Sequence, residues 1–315
     1  MFDGVVMVER IVRFLKILLL IIVLTLLVEA PKILRSARPN PEFLKRQEEL
    51  KNQENGKKAL LALIRDESKD RYAYSLLLSD KEKELYIQIA YCLRNYEEIL
   101  RQIPFYIDDP YKIFDYVVKD YPEYFWVKPN LEVITYKNGD ITTGYALEFS
   151  YTDDTNSEKI KNKQKLIDNK VETILRALNS CTTDYEKAKG VYDYLITNTI
   201  YDEHKNDQSM YSVLTEGRGV CSGYAKSFQY LMNRMGVQAA LVTGDLREQM
   251  GSTVRLGSSH IYVTTGHAWN MVKIDNNWYH VDVTTDDALS SANSISHEFF
   301  LLSYEEINKT HYIDS

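Results

Sequence analysis

At 315 residues the chain is long enough to bury a sizeable core, as one large domain or two small ones. A formal net charge of −7 argues against a general nucleic-acid binder, which carries a basic excess. Three cysteines, Cys92, Cys181 and Cys221, make an odd set with no close pair, which speaks against a disulfide scaffold and against a Cys-rich zinc site.

The chain opens on Arg10, Arg13 and Lys16, followed by the apolar run Ile17 to Val28. A basic region ahead of an apolar core has the shape of a secretory signal. Val28-Glu29-Ala30 suits cleavage, but Pro31 directly after it hinders the cut, so residues 1–30 read as an uncleaved anchor ahead of a cleaved signal. Residues 31–76, with Pro31, Pro39, Pro41 and many charges, read as a stalk and a polar helix.

An α/β portion is expected over 77–155. Ser-Asp-Lys-Glu at 79–82 is a capping box that opens a helix to about Tyr96, with Cys92 as a buried structural thiol. Asp109 before Pro110 starts the next helix and Pro122 ends it. Two alternating runs around Asn138-Gly139 predict a β-hairpin.

The last portion is expected over 156–315. A long polar helix covers about 156–179, and the capping box at Thr183 to Glu186 opens another to about Thr199. Residues 200–219 read as a loop. "CSGYAKSFQYLMNRMG" keeps helical spacing from Cys221 to Met235 and stops at Gly236. Three strand-like runs follow, "VQAALVTG", "HIYVTTGHAWNMVKI" and "WYHVDVTT". A helix followed by antiparallel strands predicts an α+β domain.

A cysteine at a helix N-terminus meets the positive end of the helix dipole and unpaired backbone N–H groups. Both favour the thiolate, and the same N–H groups can stabilise an oxyanion. Gly217 and Gly219 let the preceding chain turn and leave room for a substrate. A nucleophile needs a base and the base an orienter. "HAWNMVKIDNNWYHVDV" reads as a hairpin turning near Asp275-Asn276. If Lys273 pairs with Trp278, then His267, Trp269, His280 and Asp282 share one face, with His267 and Asp282 as diagonal neighbours. A one-residue slip would separate them. His280 is the rival base on the same face, or a packed, hydrogen-bonded residue. His260 reads as a surface residue. A zinc site of Cys221, His267 and His280 would lack closely spaced ligand pairs.

The ordered set of G-x-C on a helix, H-A-W-N and W-Y-x-V-D resembles the transglutaminase-like superfamily of papain-like thiol enzymes, in its bacterial exported form, over about residues 185–290. "DYPEYFWV" at 120–127, ahead of a hairpin, resembles a portion that accompanies such domains. The resemblance implies a papain-like α+β core with Cys221 as nucleophile, His267 as its acid/base partner and Asp282 as orienter of the imidazole. No cofactor is expected and no metal-ligating residues are assigned, and the sequence leaves calcium dependence open. The resemblance implies thioester-mediated acyl transfer on protein or peptide amides, cross-linking or deamidating, with a cysteine peptidase as the alternative and a non-catalytic peptide-binding module as a third reading. Expected partners are a protein or peptide substrate and, through the N-terminal segment, the membrane, with the catalytic part outside the cell. One departure stands out: relatives carry an aromatic residue where this chain has Thr285, which would make the cleft wall smaller or more polar. Tyr201 and Trp269 are candidates for the oxyanion and substrate cleft.

Overall fold

The computed structural model describes residues 41–103, 107–152, 157–204, 207–247, 253–256, 259–262 and 266–314. The expected anchor at 1–30 lies outside them, and among the described residues no helix is long and apolar enough to cross a membrane. The chain divides into two compact units, residues 1–59 and 60–315. The first contributes the start of helix α1 (Pro41–Ser68), whose sequence has no apolar stripe and whose exposed turns carry ion pairs such as Lys58 with Glu54 at 2.8 Å.

In the second unit, α2 (Tyr72–Ser75) leads to α3 (Asp80–Arg94). Ser79 caps α3 by the predicted reciprocal bonds, its Oγ accepting from Glu82 N and its own N–H donating to the Glu82 carboxylate. Strand β1 (Ile99–Ile103) follows, then α4 (Pro110–Asp120), which Asp109 caps with Pro110 in its first turn. The hairpin is β2 (Val127–Asn138) and β3 (Ile141–Tyr151), in a sheet of order β1-β3-β2. Asn138 pairs with Ile141, so the turn residues are Gly139-Asp140, one step later than the sequence reading placed them. Leu85, Ile89, Val117, Tyr121, Trp126 and Leu147 are among the buried members of this portion's apolar cluster. Cys92 is buried there too.

The remaining helices are α5 (Ser157–Ala177), α6 (Asp184–Asn198) and α7 (Cys221–Arg234). Thr183 and Glu186 form the predicted capping box of α6. Residues 200–219, expected as a loop, hold two short parallel strands, β4 (Ile200–Tyr201) and β5 (Arg218–Gly219), around a π-helical turn at Ser212–Glu216. Two-residue strands and one wide turn leave no periodicity to read.

Helix α7 packs its Tyr224, Phe228, Leu231 and Met232 face on a sheet of order β10-β9-β6-β11. Its strands are β6 (Ala239–Leu246), β9 (Gly266–Ile274), β10 (Asn277–Val281) and β11 (His311–Ile313). A separate hairpin, β7 (Thr253–Leu256) and β8 (Ser259–Tyr262), lies between β6 and β9 in sequence. It divides the long run that the sequence suggested as one strand. The mixed helices and antiparallel sheets make this an α+β fold.

Candidate active site

The turn between β9 and β10 fixes the register on which the site depends. Asp275 and Asn276 both take positive φ, 48° and 68°, as a two-residue hairpin turn of the favoured hand requires. Lys273 then pairs with Trp278 and His280 with Met271. The ladder ends at Val281 with Asn270, sooner than the sequence reading implied. Asp282 therefore has no strand partner: it is the N-cap of α8 (Val283–Leu289), and its Oδ1 accepts from the N–H groups of Thr284 and Thr285, each at 3.1 Å. A short acidic side chain ahead of Thr-Thr-Asp-Asp satisfies the orphan donors of a new helix, which outcompetes continuing the strand.

The cysteine end is built by packing. Gly217, at φ 66°, closes the π-helical turn, and Gly219 lies so close to Val213 that a side chain there would collide. Gly219 thus serves the fit of the turn beneath it and does not open space for a substrate. Val220 is the N-cap of α7 and offers no side-chain cap, so the first N–H groups of the helix stay available beside Cys221.

The structure brings Cys221, His267 and Asp282 together. His267 Nε2 lies 2.8 Å from Asp282 Oδ2, which leaves Nδ1 for the Cys221 thiol. Burial opposes charge on both partners. Even so, the His267 imidazole and the backbone N–H groups of Ala268 and Ser222 hold the Cys221 thiol below its ordinary value. Against the same burial, the Asp282 carboxylate and then Cys221 raise His267 to about 10. Asp282, though fully buried, stays well below the usual carboxylate range because His267, His311 and Thr285 all favour its ionised form. The arrangement suits a thiolate–imidazolium pair.

An open cleft of about 540 Å³ exposes this pair. Glu203, Gln208, Ser222, Thr243, Gly244 and Asp314 are among its walls. Tyr201 is half exposed on β4, close enough that Cys221, after burial, raises its hydroxyl's pKa. Trp269 is buried and does not line the cleft: it stacks on His267 with centroids 5.9 Å apart and donates through Nε1 to His280 Nδ1 at 3.1 Å. That bond makes the rival base a packed acceptor, and burial together with nearby His311 pushes His280 down to about 4. Thr285, expected in the cleft wall, is buried and turns its hydroxyl onto Asp282 Oδ2 at 2.5 Å. Asn270 ties β9 to α7 and β6, donating to the carbonyls of Ala225 and Ala240.

One residue escaped the sequence reading. His311, fully buried on β11, lies with Nε2 3.1 Å from Asp282 Oδ2. Nothing local marks it, because it reaches the site only through the pairing of β11 with β6. His267, Asp282 and His311 place their ligand atoms within 4.8 Å of one another, a spacing a metal could use. Each Nε2 already faces the same carboxylate oxygen, so a metal there would have to displace both N–H protons.

Residues 172–283 match the model of the transglutaminase-like superfamily. No curated protein matches the sequence. Among solved structures the chain is similar to a TGase, at 17% identity and TM-score 0.33 over 53% of this chain and 47% of that one. It is also similar to a proposed cysteine protease from Cytophaga hutchinsonii, at 15% identity and TM-score 0.31 over 50% of this chain and 63% of the other. The chain thus spans under two thirds of either neighbour's length. Residues 172–283 form a transglutaminase-like domain that holds Cys221, His267 and Asp282, while His311 lies beyond it.

Proposed function

We propose that the protein is an exported or membrane-anchored cysteine enzyme that transfers acyl groups from protein or peptide amides. The observation that carries this reading is the His267 imidazole, bonded on one side to a buried, ionised Asp282 and facing on the other a thiol at the start of a helix. The Cys221 thiolate attacks the amide carbonyl, and the Ser222 N–H stands beside the developing oxyanion. His267 gives its proton to the departing amine, the C–N bond breaks and a thioester remains on Cys221. A second amine then attacks the thioester, His267 takes up its proton, and a new amide leaves the thiolate free. Water in place of the amine gives deamidation of a glutamine side chain or hydrolysis of a peptide bond.

Glu203 and Asp314 stand in the cleft wall, and no Lys or Arg is among its described lining residues. That polarity supports an ammonium group as the second substrate and so favours transfer over the peptidase alternative. The test is incubation of the protein with casein and a fluorescent primary amine, beside Cys221→Ala. Amine incorporation that disappears in the variant supports transfer. New peptide termini without incorporation would replace it with the peptidase reading, and neither product would leave a binding module.

A further inference from the structure

His311 stands on the same sheet as His267 but bonds to a carboxylate that belongs to a helix. Strand β11 pairs with β6 through His311 and Leu246, and β6 pairs with β9 through Gly244 and His267. Asp282 is pinned at Oδ1 by two N–H groups of α8, so Oδ2 is the end of the carboxylate that can swing. His311 Nε2 meets that end at 3.1 Å, while its Nδ1 lies 2.8 Å from Thr310 Oγ1. An ionised carboxylate only accepts, so Nε2 carries the proton and donates, while the Thr310 hydroxyl divides its one proton between His311 Nδ1 and the Ile307 carbonyl at 3.2 Å. The ring is enclosed, with centroids 4.7 Å from Trp269 and 5.7 Å from Phe299.

We propose that His311 is a positioning residue that locks the helix-borne Asp282 carboxylate to the sheet-borne His267 imidazole, extending the row to Cys221, His267, Asp282 and His311. The proposal rests on the catalytic reading above. Thr285 bonds the same oxygen, but it belongs to α8 and moves with Asp282; His311 alone ties Oδ2 to the sheet among the described residues apart from His267 itself. The other titratable groups near Asp282 and His311 are Tyr192 of α6, whose hydroxyl donates to the Asp282 main-chain carbonyl, Asp286, one turn further along α8, and His280 of β10, on which His311 acts electrostatically. Tyr201, Glu203 and Asp314 stand on the Cys221 side.

The experiment is the pH dependence of iodoacetamide alkylation at Cys221, followed by mass spectrometry of its peptide in the full chain. No substrate is needed. His311→Gln keeps an amide donor for Oδ2, whereas His311→Phe fills the aromatic enclosure without a donor. If His311 positions Asp282, Phe lets Oδ2 swing away, His267 loses its hold on the proton and Cys221 becomes a weaker acid. The alkylation midpoint then moves up by about one pH unit and the rate at pH 6 falls about tenfold, while Gln stays near the wild-type curve. If the ring only fills space, Phe keeps the curve and Gln loses it, which overturns the proposal. Two unchanged curves overturn it as well, and so do two equally shifted ones. His311→Asn, whose amide stops short of Oδ2, replaces Phe if Phe lowers the melting temperature, with the same shift expected. A wild-type midpoint already at the ordinary thiol value would sink the catalytic reading itself, whereas a low wild-type midpoint indifferent to His311 sinks only this inference.

Discussion

Each of the two apolar clusters contains a deeply buried aspartate with several donors, and the two behave in opposite ways. Asp120, the last residue of α4, accepts from the N–H groups of Ala73 and Tyr74 and from the Tyr86 hydroxyl. Burial still outweighs those bonds and raises its carboxyl above the usual value. Asp282 is buried as completely and is driven the other way. Asp282 has five donors against three for Asp120, and the donors also differ in kind. The donors to Asp120 are fixed neutral groups that end the chain of bonds there. Those to Asp282 include an imidazole that can carry charge and passes the effect on to a thiol in an open cleft.

Substitutions by asparagine should break the symmetry most plainly. Asp282→Asn keeps the volume but cannot hold an imidazolium, and the rate of amine incorporation should fall by about 10³ to 10⁴. Asp120→Asn should leave that rate and Cys221 alkylation unchanged while lowering stability by about 1–3 kcal/mol in denaturant titration, because a donor then faces a donor. Equal losses of activity from both would mean that the two sites differ only in place.

The pH dependence sharpens the contrast. His267 is raised from an ordinary value of 6.5 to about 10. A group raised on folding adds stability that is complete below its unfolded value and is lost as pH climbs through its folded one. The wild-type advantage over Asp282→Asn in denaturant midpoint should therefore hold to about pH 6.5 and decline toward pH 10. Amine incorporation should decline on the same alkaline side as the imidazolium is lost. Asp120 has the raised carboxyl of a buried acid, so its neighbourhood should gain stability toward low pH. An advantage over Asp282→Asn that persists past pH 10 would refute the ion pair.

Much of this contrast was legible in the sequence wherever the cause was local. Ser79 with Glu82, Thr183 with Glu186 and Asp109 with Pro110 announce helix starts because caps bond within four residues. The Asp275-Asn276 turn fixed the register and so the meeting of His267 with Asp282. The reading failed where partners are distant or compete. Asp282 resembled a strand residue until the demands of α8 were weighed. Thr285 resembled a wall residue, although its hydroxyl lies one turn from the carboxylate it serves. Trp269 has the right face but the wrong depth. His311 sits on a three-residue strand with no alternation to read, and only the sheet brings it to Asp282.

The smallest expected effect lies beside His267 and Asp282, at His280. It is buried like Asp282 and two residues before it, yet its bonding resembles that of Asp120: a fixed neutral donor, Trp269 Nε1, ends on it. Its main chain is held separately, by paired bonds with Leu302 at 2.7 and 2.8 Å. His280→Phe should keep that backbone and leave the indole N–H without an acceptor, at a cost of about 1–3 kcal/mol in stability. The pH curve for Cys221 alkylation should not move, because no proton passes through His280 to the thiol. A shifted curve would make His280 part of the row that reaches Cys221, and Trp269 would then be its link to His267 by the 5.9 Å ring stack.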